Sequence, residues 1–160
     1  MKRMLLAVTG LMVLCMSAAQ ADPATEAAIK KHIMDANAYS TKELKSQGGQ
    51  VSKEGSMEFW SSGGLLHEVP PDDGVEVEEF DAFSIKAKHI HVITLVPGKV
   101  AVAMYYSEGA IDRKNSAGVP NYRTRATQVF VNEDGKWKVR AAHWSPITGG
   151  AGTSQTSVEN

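Results

Sequence analysis

The sequence predicts an α+β domain, one N-terminal helix followed by an antiparallel sheet. Three observations lead there. Apolar residues at helical spacing follow Asp22-Pro23, a strong β-hairpin pattern occupies residues 123–146, and between them lie further strand-like runs separated by Gly- and Pro-containing turns. The chain has 160 residues, enough for one domain with one sizeable core.

Residues 1–21 read as a secretory signal peptide. Lys2 and Arg3 supply the positive start, residues 5–16 the apolar run, and Ala19-Gln20-Ala21 an A-x-A cleavage site. The run is too short for a permanent membrane span. The expected location is therefore periplasmic or secreted, with no membrane association after cleavage. Cys15, the single cysteine, lies inside the run. Leu14 precedes it where a lipoprotein signal carries a small residue, so Cys15 is not read as a lipid anchor. The mature chain would then have no cysteine for a disulfide, thiol nucleophile or thiolate metal site. Losing Lys2 and Arg3 leaves 15 Lys and Arg against 18 Asp and Glu. No basic stripe or RNA-binding signature is present, so no nucleic-acid partner is expected.

A helix is predicted over residues 23–45, with Asp22 as cap, Pro23 at the first position and Gly48-Gly49 as the stop. Ile29, Ile33, Met34 and Ala36 recur at helical spacing, a break is conceivable over residues 38–41, and His32 reads as a solvated residue. After a polar connector over residues 50–56, Met57-Glu58-Phe59-Trp60 and Leu65-Leu66-His67-Glu68-Val69 flank a Ser-Ser-Gly-Gly turn. Pro70-Pro71 ends the second strand. Residues 68–81 hold seven carboxylates without EF-hand spacing, and read as a solvated acidic loop. For residues 72–84 the pattern leaves helix and strand both open.

Residues 85–96 and 99–108 read as strands joined by Pro97-Gly98. His89 and His91 share a face. With His143 they have the ligand type for zinc, but no carboxylate joins them at ligand spacing. They read as partly exposed strand residues, and neither a metal nor any cofactor is predicted. Ala101, Ala103 and Tyr105 face one way and Val102, Met104 and Tyr106 the other. Both faces are fairly apolar, so this strand should be central. Residues 111–121 read as a polar loop able to shape a pocket rim.

In the closing hairpin, strand alternation separates Arg123, Arg125, Thr127, Val129 and Val131 from Tyr122, Thr124, Ala126, Gln128 and Phe130. It separates Trp137, Val139, Ala141 and His143 from Lys138, Arg140, Ala142 and Trp144. The set containing Trp137 and Val139 is the more apolar, so it is expected to face the core, met by Val129 and Val131. Arg125 and His143 would then point inward, where a polar residue needs a partner or a cavity. Phe130, Gln128, Ala142 and Trp144 would form an outer face apolar enough to suggest a homodimer through the convex side of the sheet.

Thr127, Val129, Asp134, Gly135, Lys136, Trp137, Val139, His143 and Ser145 make this stretch resemble the C-terminal hairpin of nuclear transport factor 2-like domains. Within that superfamily it is most similar to SnoaL-like domains and to the association domain of calcium/calmodulin-dependent kinase. The resemblance implies a cone-shaped, strongly curved antiparallel sheet packed on the N-terminal helix, a cystatin-like roll with a pocket in its mouth. The domain would span residues 22–148, followed by a flexible C-terminal tail over 149–160. The resemblance implies no single activity, since the fold hosts isomerases, cyclases, dehydratases and plain oligomerisation modules.

No P-loop, G-x-S-x-G or dinucleotide fingerprint appears. Alternation offers Glu58, Trp60, Tyr105, Arg125 and His143 as site residues. The expectation is a domain that binds a small, partly apolar ligand among Trp60, Tyr105, Arg125 and His143, with Arg125 holding a carbonyl or carboxylate oxygen. One alternative is a proton-transfer enzyme of isomerase, cyclase or dehydratase type. His143 or Glu58 would be its catalytic base and Tyr105 or Arg125 its donor to the enolate. The other alternative is a non-catalytic oligomerisation module. In the plainest structural reading, Arg125 and Glu58 pair inside the cone, and Trp60, Trp137 and His143 are core residues.

Overall fold

A computed structural model of the chain describes residues 22–71, 77–147, 150 and 152. Residues 1–21, expected to be a signal peptide, most of the stretch expected to be a C-terminal tail, and residues 72–76 of the acidic stretch lie outside the described residues. Helix α1 spans Pro23–Glu43. The Asp22 carboxylate caps it, accepting from the Ala24 N–H at 3.2 Å and the Thr25 hydroxyl at 2.6 Å. It stops at Leu44, which turns left-handed at φ 51° and donates its N–H to the Ser40 carbonyl. The helix thus ends before Gly48-Gly49 and runs unbroken through residues 38–41. Thr25, Ile29, Ile33 and Ser40 form its buried stripe.

Seven strands follow: β1 Ser56–Phe59, β2 His67–Val69, β3 Phe80–Phe83, β4 Lys86–Val96, β5 Val100–Arg113, β6 Val119–Glu133 and β7 Lys136–Pro146. They pair as β2-β1-β7-β6-β5, and β3 and β4 share the far edge of β5. Every pairing is antiparallel except β1 with β7. The predicted α+β architecture is therefore present, as a mixed sheet carrying one helix. The central position of β5 and both predicted hairpins are present too. The undecided segment contributes a strand at β3.

The β6–β7 turn places Asp134 at φ 51° and Gly135 at φ 81°. Two successive positive φ values match the right-handed twist of the strands they join. The expected polar loop over residues 111–121 is mostly strand instead. β5 continues to Arg113, and Ile111 pairs with Val119 across a register shift after Gly109. Gly109 sits at φ 153°, and a Cβ there would lie 2.4 Å from the Ser84 carbonyl oxygen. Only glycine lets β5 pass so close to the segment between β3 and β4. Phe80, Ile85, Ile111, Val119 and Tyr122 form a small core at this end.

The main core joins Ile29 and Ile33 to Ala101, Ala103, Tyr105, Ala126, Phe130, Val139 and Ala142. Alanines on three strands leave room for the helix to approach the sheet. This core reverses the predicted faces of the hairpin. On β6 the inward set is Tyr122, Thr124, Ala126, Gln128 and Phe130, and Arg125 is exposed. The reason is register. Val129 pairs with Ala141 but Phe130 pairs with Val139, so Arg140 is an extra residue. A bulge of this kind inverts the alternation beyond it. Val139, Ala142 and Trp144 face inward, and Ala141 and His143 face outward. The bulged strand also takes up the connector. Val139 donates to the Gln50 carbonyl at 2.7 Å and accepts from the Ser52 N–H at 2.9 Å. Phe130, Gln128, Ala142 and Trp144, expected to form the outer dimer face, are therefore interior.

Candidate functional site

Between α1 and the concave face of the sheet lies a cavity of about 210 Å³. It opens where the helix stripe changes from Ile29 and Ile33 to the smaller Ala36 and Asn37. Those two residues line it with His32, Ile33 and Gln50. The sheet contributes Tyr105, Ser107, Tyr122, Gln128, Phe130, Val139 and Trp144, and Phe83 and Ile85 line the end near β3. No Lys, Arg, Asp or Glu is in this lining.

The polar groups of the sheet wall are coupled. The Tyr105 hydroxyl donates to Oε1 of Gln128 at 2.7 Å. That bond occupies the Gln128 oxygen and leaves its amide nitrogen as the donor end. Burial pushes the Tyr105 phenol well above its ordinary value. Tyr122 and Glu58 add to the rise, and the nearby Trp144 indole opposes it. The phenol therefore stays protonated at neutral pH.

His32 stands on the helix wall, its ring edge-on to Phe130 with centroids 5.5 Å apart. It is half-buried, not the solvated residue expected from the sequence. Burial lowers its pKa below 6.5, the Lys138 charge adds to this, and Asp35 and a hydrogen bond to Gln50 act the other way. The imidazole is neutral at pH 7.

Of the site residues predicted from sequence, Tyr105 lines the cavity. Trp60, Glu58, Arg125 and His143 are not in the lining. Trp60 donates its indole N–H to Oε2 of Glu58 at 2.9 Å and stacks on His67 at 4.0 Å. Glu58 is 8% exposed and faces inward. Arg125 lies on the outer face and donates from Nε to the Ser145 hydroxyl at 2.9 Å. The two cannot pair inside the cone, being on opposite faces. His143 is also outward, edge-on to Phe59 at 5.6 Å. His89 and His91 are exposed, and His89 occupies a left-handed position at a register shift in β4. Among the described residues no three His, Cys, Asp or Glu side chains are grouped to hold a metal ion.

The sequence reading places His32 in solvent and Gln128 and Trp144 on the outer face, so it does not assign them to the cavity. His32 had a usable signal, since it lies three residues after Ile29 and beside Ile33 on the buried stripe. Gln128 shares its strand face with Ala126 and Phe130. Only the paired register shows that this face, and not the valine face, is interior.

No family model matches the chain, and no curated protein matches it. Solved structures do. A nuclear transport factor 2-like protein of unknown function from Pseudomonas putida superposes with a TM-score of 0.54 at 14% identity, covering 85% of this chain and 99% of that one. A candidate calcium/calmodulin-dependent kinase II association domain from Exiguobacterium sibiricum gives 0.47 at 12% identity, covering 80% and 97%. A homology domain of the calcium/calmodulin-dependent kinase II hub from Chlamydomonas reinhardtii gives 0.42 at 18% identity, covering 79% and 99%. The helix packed on a curved, unclosed sheet, with its cavity between them, gives this chain the nuclear transport factor 2-like fold.

Proposed function

We propose that the protein binds a small, uncharged, partly apolar molecule in the cavity between α1 and the sheet. The observation that carries this reading is a lining without a formal charge, in which the Tyr105–Gln128 hydrogen bond leaves the Gln128 amide nitrogen as a donor. A carboxylate held there would be desolvated with no cation to meet it. A carbonyl oxygen would meet the Gln128 amide, and its apolar body would meet Ile33, Phe130 and Val139. An engineered apolar cavity of about 150 Å³ holds benzene, so this one suits a single six-membered ring with a short substituent. Of the carbonyl or carboxylate considered from sequence, this lining suits the carbonyl, held by Gln128 and not by Arg125. The proton-transfer alternative draws no support from His143, which faces outward, or from Glu58, which is outside the lining.

The test is titration of neutral single-ring ketones and amides, acetophenone among them, followed by protein NMR. Shifts should concentrate at Tyr105, Gln128 and Phe130, and Gln128→Leu should weaken binding by about tenfold. Absence of binding across the panel, or full affinity in Gln128→Leu, would count against the reading.

A second reading concerns assembly. The outer face exposes Phe59, Ile93, Met104 and Tyr106, each between 44% and 50% accessible. An apolar face of this kind supports a homodimer through the convex side of the sheet, by different residues from those first expected. Sedimentation at micromolar concentration should give twice the mature mass, and Met104→Glu should return it to the monomer. The positive start, apolar run and A-x-A site of residues 1–21 support a place of action outside the cytoplasm.

A further inference from the structure

We infer that the ligand is bipartite: an uncharged, partly apolar group occupies the cavity and an anionic group attached to it occupies the groove next to it. This rests on the cavity reading above. A second concavity of about 500 Å³ lies between α1, residues 47–50 and the start of β7. It shares His32 and Gln50 with the cavity, so those two side chains form the partition between the spaces.

The two spaces differ in charge. The cavity lining has none, whereas the groove has Lys31, Lys136 and Lys138 against Asp35 alone. Asp35 is already paired with Lys31 along the helix. Lys138 donates to the Gly49 carbonyl, which orients its ammonium without neutralising it. Lys136 is exposed beside Gly135. Glu133, across the turn from Lys136, accepts from the Ser52 hydroxyl at 2.7 Å and the Lys53 N–H at 3.1 Å, and the Lys53 and Lys138 charges add to the lowering of its pKa without a direct ion pair. Among the described residues neither Lys136 nor Lys138 makes an ion pair. Trp137 adds a half-buried ring to the same wall. A carboxylate excluded from the cavity by desolvation is thus accommodated by two lysines just outside it, if a short chain carries it past the partition.

His32 reports on this arrangement. The charged groups lining its side of the groove are Lys31 and Asp35 from α1 and Lys136 and Lys138 from β7; Gln50 from the connector and Phe130 from β6 carry no charge. The Lys138 charge disfavours the protonated imidazole. An anion among the lysines offsets that effect, so occupation of the groove should draw a proton onto His32.

The experiment is isothermal titration of the full mature chain with 3-phenylpropanoate, 4-phenylbutanoate and 6-phenylhexanoate, each against its primary amide, with acetophenone as the neutral cavity probe. At one chain length the acid should bind more tightly than its amide and should compete with acetophenone. Its binding should weaken roughly twofold to fivefold in Lys136→Gln, the range of an exposed ion pair, and weaken further as salt rises. Paired buffers of different ionisation enthalpy at about pH 6 should show net proton uptake with the acid and not with the amide, and His32→Gln should remove the uptake. If acetophenone binds and no acid exceeds its amide, the bipartite inference is overturned and the cavity reading stands. An acid preference indifferent to both Lys136→Gln and Lys138→Gln also overturns it. If acetophenone itself does not bind, the cavity reading fails, and this one with it.

Discussion

Replacing Tyr105 with Phe tests the cavity wall with the loss of one oxygen. Tyr105 is 8% exposed, and its hydroxyl donates to Gln128 at 2.7 Å. Removing it leaves the Gln128 amide oxygen unpaired in a largely apolar interior. That loss costs about 1–3 kcal/mol, towards the lower end if water in the cavity takes over the bond. In urea unfolding this is a midpoint drop of roughly 1 M with the m-value unchanged. A second readout separates this from mere loss of packing. In the folded protein the Tyr105 phenol has a raised pKa, so the fold binds its proton more tightly than the unfolded chain does. That contribution is fully present below the unfolded tyrosine value of about 10 and is lost as pH rises above it. The parent should therefore lose stability above about pH 10 more steeply than Tyr105→Phe. If the variant unfolds within about 0.5 kcal/mol of the parent and shows the same alkaline slope, the Tyr105–Gln128 hydrogen bond is not what orders this wall.

Three other perturbations have defined outcomes. Gly109→Ala puts a Cβ 2.4 Å from the Ser84 carbonyl at a φ that side chains avoid, and should destabilise the fold by about 1–3 kcal/mol in the same urea assay. His32 has a lowered folded pKa, so the unfolded chain gains its proton first as pH falls below 6.5 and stability declines there; His32→Gln should flatten that acid decline between about pH 7 and pH 5. Intact-mass measurement of protein recovered from its host should show a chain beginning at Asp22, and retention of residues 1–21 would rule out the predicted cleavage.

The sequence alone determined the helix, the central strand and the two hairpins, because each carries a local signal, but it left β3 undecided and read residues 111–121 as a loop. Asp22-Pro23 caps and opens the helix, Asp134-Gly135 has the residues that a tight hairpin turn needs, and Ala101 to Tyr106 is apolar on both faces as a central strand must be. These are short-range properties of backbone preference and spacing. The site was decided elsewhere. Alternation divides β6 into two faces but does not say which one is inside, and the valine face looked the more suitable. The interior belongs to Gln128 and Tyr122 because the concave side of the sheet borders a cavity, where Gln128 accepts from Tyr105 and the Tyr122 hydroxyl donates to Ser61, while Val129 and Val131 lie on the outer side. On β7 a single extra residue, Arg140, turned His143 outward and Trp144 inward. A bulge is set by which strand pairs with which, and here the Gln50–Ser52 segment binds the backbone of Val139 from the other side. Residues 80 and more positions apart in the chain make those contacts. No window of the sequence contains them, and together with the strand pairing and the packing of α1 they put Tyr105, Gln128, Trp144 and His32 around one space.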